Sequence, residues 1–230
     1  WMAGGTVIDR ASSNLNSETE RDAAFFLNQA ANLDISFMTI QRANNGIVAE
    51  RSAGNVFSNL VLRDGGRSGM AVGDSSQNNT MRRVVITRNL GSGLVLALNN
   101  GGIFESGIIW SNGGSAIVAG SASIAVSNSI LHASDTNFCY SLNELGAAFG
   151  NFNNLVFVGD ANAALFGATV FEGVPQWTAF STQDVFSLSV DPLFADATND
   201  DYHLRSPYGR FDPATGGVVT TDTNLSLLVR

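Results

Sequence analysis

Short apolar runs separated by glycine-containing turns recur every 21 to 24 residues along this chain. Ile40, Leu62, Ile86, Ile109 and Ile130 each close one run, at separations of 22, 24, 23 and 21 residues, and Gly46, Gly69 and Gly93 open the run that follows. A unit of this length, holding two strand-like runs and no helical block, predicts a solenoid of stacked β-coils. Within the first clear unit, Leu33 to Ile40 alternates and puts Leu33, Ile35 and Phe37 on one face. The phase then slips by one, which predicts a bend or bulge that keeps both halves pointing inward. Stacked coils bring equivalent residues about 4.8 Å apart. Ile40, Leu62, Ile86 and Ile109 should therefore form an internal aliphatic stack. Arg42, Asp64 and Arg88 should align outside as alternating charges, with Asn89 and Asn112 opening an external asparagine ladder.

The flanks are less regular. Residues 5–9 and 23–27 read as strands of an early coil, joined by a polar loop at 12–22 whose 16–20 segment carries helix-start residues. After Ile130 the period fails, so residues 132–150 read as an extended loop, and 154–158 resume a coil. At 174–180, Pro175 stands near a helix start and Trp177 and Phe180 share one side, predicting a short helix over the open end of the core. The expected organisation is one domain over 1–230. It comprises an N-terminal coil or cap (1–32), regular coils (33–131), irregular coils (132–195) and a C-terminal segment (196–230).

Composition supports strands: 44% of residues are apolar and only 14% charged, with Ile, Val and Phe in the runs and Gly, Asn and Asp between them. All twelve basic residues are arginine and the net charge is −8. No basic stripe is available to neutralise phosphates, which argues against nucleic acid and against anionic membranes. Cys139 is the single cysteine, so no intramolecular disulfide forms, and it reads as a small buried hydrophobe. No stretch is long and apolar enough to span a bilayer. The first residue is Trp1, as expected for a processed chain or a piece of a longer one.

The C-terminal third carries more specific elements: Asn128-Ser129-Ile130-Leu131, Asn154-Leu155-Val156-Phe157, Trp177-Thr178-Ala179-Phe180, Gln183-Asp184, Ser187 to Phe194 and Asp201-Tyr202-His203-Leu204. Together these resemble the end of the right-handed parallel β-helix repeat proteins, and the resemblance covers roughly residues 33–213. It implies an all-β solenoid of about six or seven coils with an irregular C-terminal cap, in a secreted or surface-attached bacterial protein. Family members commonly continue into an apolar Asp-Ala-Gly segment, whereas this chain runs through residues 220–224 to Arg230. Relatives include pectate-lyase-like enzymes, which would place acids and an arginine on one exposed sheet, with calcium.

Three constellations are candidates for chemistry. Lyase action on a uronic-acid polymer needs a base and a cation to neutralise the carboxylate. Arg42, Asp64 and Arg88 supply the residue types, although an aspartate between two arginines is a poor base. Glycoside hydrolysis needs two carboxyls roughly 5–9.5 Å apart, and Glu50 and Asp74 fall at near-equivalent places on adjacent coils. Asp191, Asp196, Asp200 and Asp201, with Asn199, offer oxygens for calcium, but their spacing is not that of an EF-hand and they form good turns. Glu105 reads as isolated, His132 as opening the loop, and His203 as structural. Trp110, at the outward position shared by Gln41, Arg63 and Thr87, is the candidate platform for a sugar ring. The incomplete catalytic sets favour a non-catalytic extracellular or cell-surface module. Its role is structural, adhesive or glycan-binding, and its partner is a polysaccharide or other copies or segments of a surface assembly. A polysaccharide lyase or glycoside hydrolase is the alternative.

Overall fold

The computed structural model describes residues 6–10, 22–98 and 101–205, and the backbone of the strands Arg210–Asp212 and Gly217–Val219. The proposed helix start at 16–20 and the tail from 220 lie outside the described residues. The chain divides into two compact units, Thr6–Val190 and Asp191–Arg230 together with Trp1–Gly5.

The first unit is a parallel β-solenoid with three faces. Ala23–Asn28, Asn45–Glu50, Met70–Gly73, Leu94–Ala97, Ile117–Gly120, Phe138–Leu142 and Asn162–Phe166 stack in parallel as the first face. The other two faces arise from bent strands. Asp34–Gln41, Val56–Arg63 and Thr80–Thr87 each turn midway, at Phe37, Asn59 and Arg83, whose φ angles are 57°, 54° and 52°. In later coils the bend separates two shorter strands, with Ser106, Asn128 and Phe152 in the same left-handed conformation. The left-handed region is costly for a residue with a Cβ. Here successive coils repeat it at one corner, where the strand hydrogen bonds on both sides hold it. The expected bend is therefore present, but it falls on Phe37 itself. That residue is 65% exposed rather than inward, and Leu33 is also exposed.

The internal stack is Ile40, Leu62, Ile86, Ile109, Leu131 and Leu155, in register and each at most 1% exposed. Leu131 takes the place expected for Ile130, which pairs with Ile108 one position outside the column. Burying each of these side chains contributes about 1.5–3 kcal/mol. Facing this stack, Gly46, Gly69 and Gly93 open the first-face strands. A Cβ on Gly69 would stand 2.2 Å from Ile86 Cγ2, and one on Gly93 would stand 2.3 Å from Ile109 Cγ2. Glycine is required at both because the facing isoleucine already fills the space.

Residues 132–150 are a coil, not a loop: they contain the strand Phe138–Leu142, paired to the coils before and after, and most of the strand Ala147–Asn151, paired to the coil before. Tyr140 sits in the inner column of Ile47, Met70, Leu94 and Ile117, fully buried. The asparagine ladder also lies inside rather than outside. Asn89 Nδ2 donates to Asn112 Oδ1 at 2.9 Å and to the carbonyls of Leu62 and Thr87, while its Oδ1 accepts from Gly65 N; both side chains are buried. A second ladder, Asn55 to Asn79, repeats the device at another corner. The turns bury backbone groups that strands cannot pair, and a carboxamide supplies both a donor and acceptors for them.

The helix Val174–Ser181 closes the end of the array as expected, beginning after extended Gly173 and burying Trp177 against Tyr140 and Phe171. Beside it lies Asp184, 1% exposed. Its carboxyl accepts from Trp177 Nε1 at 3.0 Å, Asn153 Nδ2 at 3.0 Å and the Ser187 hydroxyl at 2.6 Å. Gly150 makes room for it: a Cβ there would lie 2.4 Å from Asp184 Oδ2. In the second unit, Phe194–Asp196 and Asp201–Leu204 form an antiparallel pair with Phe194 packed edge-on to Tyr202, and the backbones of Arg210–Asp212 and Gly217–Val219 form another.

Candidate functional site

Along the first face the outward column is Phe26, Val48, Ala71, Val95 and Val118. Val48 is only 3% exposed. An outward residue reaches that value only where walls rise over it. The walls enclose a groove of about 350 Å³ with Val48, Ala71 and Val95 in it, Asn45, Arg67 and Ser68 towards one end of the strands, and Glu50, Asp74 and Leu98 towards the other. Two of the carboxyls singled out by the sequence therefore share one groove. They are not at equivalent positions: Glu50 pairs in register with Gly73, so Asp74 falls on the corner beside Arg51. Arg51 Nε lies 3.3 Å from Asp74, and its Nη2 lies 3.9 Å from Glu50 and donates to Asn28 Oδ1. One guanidinium compensates both acids. This differs from a carboxyl pair with only a sugar between them.

Arg42, Asp64 and Arg88 stack at one left-handed corner, with φ of 54°, 56° and 52°. They do not alternate as one chain of pairs. Arg88 binds Asp64 through Nε at 2.8 Å and Nη2 at 3.2 Å, while Arg42 binds Asp9 on the preceding coil. Asp9 was not singled out by the pattern, because its partner lies 33 residues away. Arg63 approaches Asp64 from the same coil at 3.6 Å. Asp9 also strengthens the proton affinity of Arg42, through the hydrogen bond first and the charge second. Glu105, expected to be isolated, pairs with Arg82 on the neighbouring coil.

Trp110 keeps its outward register opposite Thr87 but is half-buried, its ring 4.2 Å from His132 at 35°. One side of the candidate platform is thus occupied. His132 lies in the strand Ile130–Ala133, 7% exposed, and its Nδ1 accepts from Ser111 N at 3.3 Å. Burial lowers its pKa below 6.5. The unfolded chain consequently takes up this proton first as the pH falls. His132 contributes its full stability above pH 6.5 and loses it progressively as the pH drops toward the depressed value. The expected slope is at most about 1.4 kcal/mol per pH unit. Urea denaturation from pH 7.5 to 5 (about that range) checks this: His132→Gln should flatten the wild-type dependence, and an identical dependence would show that His132 does not set it.

Cys139 is fully buried with Sγ near the carbonyls of Leu131 and Val156, and burial, reinforced by Asp184, pushes its thiol pKa up. It behaves as the small hydrophobe expected. The calcium candidates lie in the second unit. Asp191 Oδ1 accepts from Leu193 N, Asp196 caps Ala197–Asn199 and binds the Asn199 side chain, and Asp201 binds His203 through both backbone N and Nδ1. Asp200 supplies a left-handed turn residue. These are turn-closing arrangements, and among the described residues no group of three or more His, Cys, Asp or Glu is placed to hold a metal ion. Arg67 was not singled out by the sequence, since it falls in the aperiodic turn between Asp64 and Gly69. A cation amid glycines was the available signal.

A family model described as right-handed beta helix region matches residues 23–169. No curated protein matches the chain. Among solved structures, the chain is similar to the enzymatically active domain of bacteriophage CBA120 tailspike protein 2, at 13% identity and a TM-score of 0.52, over 63% of this chain and 25% of that one. It thus spans about a quarter of the length of that domain. A fainter likeness, at 13% identity and a TM-score of 0.28, is to the A-module of an Azotobacter vinelandii mannuronan C-5 epimerase, over 70% of this chain and 65% of that one. The tailspike likeness is one of fold. Among the described residues no helix is long and apolar enough to cross a membrane.

Proposed function

The chain belongs to the right-handed beta helix family, and from that premise we propose that it is a non-catalytic extracellular or cell-surface module that binds an extended polysaccharide along its first face. The observation that carries this reading is the groove over Val48, Ala71 and Val95. A shallow apolar strip suits the CH faces of sugar rings, while Asn45, Ser68, Glu50 and Asp74 along its borders suit hydroxyls. The groove volume of about 350 Å³ lies within the range of small-ligand sites. The ion pairs of Arg42, Asp64 and Arg88 read as corner ladders that hold register, and Arg51 does the same for Glu50 and Asp74.

Ala71→Trp places a large side chain on the groove floor from the solvent side of the sheet. It is expected to weaken binding on a glycan array by about tenfold or more, through lost burial and steric exclusion, while the thermal midpoint stays unchanged. Binding of equal strength by the variant would remove the groove from the proposal. The presence of two carboxyls in one groove favours a second reading, glycoside hydrolysis. Depolymerisation of a bound polysaccharide that is abolished by Glu50→Gln would establish that reading and sink the non-catalytic one.

A further inference from the structure

We infer that two copies of this chain pair through an apolar patch at the last coils, on the corner between the second and third faces, with the stacked rings of Phe152 and Phe186 at its centre. In the middle coils the left-handed position of this corner is filled by Asn59, Arg83, Ser106 and Asn128, and in the last by Phe152 at φ 57°. An aromatic residue in that conformation is costly. Here the cost is not repaid by burial, because Phe152 is more than half exposed. Its ring stacks on Phe186 at 5.4 Å and 12°. Phe186 is held on the outside by its backbone N, which donates to Asn151 Oδ1 at 2.9 Å. Phe149 ends the outward column of Ile103 and Ala125 on one side of the pair. Leu188 and Val190, on the segment that bonds to Asn154, continue the patch on the other. All five of Phe149, Phe152, Phe186, Leu188 and Val190 are more than half exposed.

The distribution of charge selects a second copy as the occupant. Residues 106–134, 145–159 and 185–190, which supply the second and third faces of these coils and the segment beside them, hold no Asp, Glu, Lys or Arg. The exposed acids of the same coils, Asp135, Glu144 and Asp160, stand instead at the two corners that flank the first-face strands Phe138–Leu142 and Asn162–Phe166. No arginine or lysine lies between Arg88 and Arg205, so two copies of these coils repel wherever their acidic corners meet. The uncharged corner is where like can meet like, and charge-poor, aromatic-rich surface is what an interface core requires. The area is sufficient. The five side chains with Ile103 offer about 600 Å² of apolar surface, so a twofold contact buries about 1,200 Å², the lower end of the range for stable interfaces. A patch that meets its own copy about a twofold axis closes at two. The first face lies opposite this corner in a three-faced coil, and its groove stays open in the pair. Two grooves carried by one dimer would raise the avidity for a long polymer, but the pairing itself does not depend on what the groove binds.

Sedimentation velocity on the full chain, from about 1 to 100 μM, tests this. The wild type should pass from monomer to dimer within that range. Added salt should favour the dimer, because it screens the repulsion between two chains of net charge −8 and strips nothing from an uncharged contact. Phe152→Asn, which copies Asn128 at the same corner, and Phe186→Ser should each weaken dimerisation by about tenfold or more. Phe37→Asn, at the same corner of an early coil, should leave it unchanged. The concentration and salt series on the wild type stand even if a variant fails to fold. A monomer throughout, or a dimer that dissociates as salt is raised, would overturn the inference. So would growth beyond two copies, or loss of the dimer in Phe37→Asn, since either requires contact between unlike ends. A dimer that survives in both Phe152→Asn and Phe186→Ser would overturn the assignment to this patch.

Discussion

Asp184→Ala is expected to lower the stability of the solenoid by about 3–5 kcal/mol, because it strands several buried donors at once. The indole N–H of Trp177, the carboxamide of Asn153 and the hydroxyl of Ser187 all converge on this carboxyl, and Tyr140 reaches it through its own hydroxyl. These four come from the helix, the last coils and the segment after the helix, so one side chain ties the end cap to the array. Alanine would also leave a void beside Gly150, whose missing Cβ makes the room that Asp184 fills. Asp184→Asn keeps the shape but turns an N–H₂ group toward donors, and should fall between wild type and alanine. Urea midpoints, with Trp177 fluorescence following the cap, measure the effect. A loss below about 1 kcal/mol for Asp184→Ala, the value of a single ordinary hydrogen bond, would mean that the cap is held by its aromatic packing alone.

The same residues explain how far the sequence could be read. Inward positions of the regular coils have one chemistry available to them, so Ile40, Leu62, Ile86 and Ile109 announced the fold by spacing alone. The coil at 132–150 was hidden because Tyr140 replaces the aliphatic residue of its column, a substitution that makes sense only once Asp184 and Asn153 are seen to take up its hydroxyl. Asn89 and Asn112 were placed outside because polar residues are usually exposed; the corners reverse that expectation, since their own backbone needs carboxamides within. The groove was partly legible. Glu50 and Asp74 could be brought to adjacent coils by counting, but the left-handed corner that sets Asp74 against Arg51, and the place of Arg67 on the groove wall, depend on turn geometry that carries no period. Ion pairs such as Arg42 with Asp9 were likewise illegible, because the connection spans an interval unlike the other coils.

The buried ladder makes the last and comparably large prediction. Asn89 satisfies Gly65 N through Oδ1 and the carbonyls of Leu62 and Thr87 through Nδ2, and donates to the next rung, Asn112 Oδ1, from both its backbone N–H and Nδ2. Each buried group left without a partner costs about 1–3 kcal/mol, so Asn89→Ala should lose about 3–5 kcal/mol in total. Asn89→Asp is the sharper test, because it has almost the same shape and retains the acceptor for Gly65. Its second oxygen, however, would face the Leu62 and Thr87 carbonyls and Asn112 Oδ1, so it should be destabilised at least as much as alanine at neutral pH. Hydrogen exchange should localise the defect: the Gly65 amide loses protection in Asn89→Ala, and the amide of Leu155 at the far end of the stack is affected less, as expected where each coil contacts only its neighbours. If Asn89→Asp unfolded within about 1 kcal/mol of wild type, the corner would owe its order to the aliphatic stack beside it, and the carboxamides would be followers of register rather than its cause.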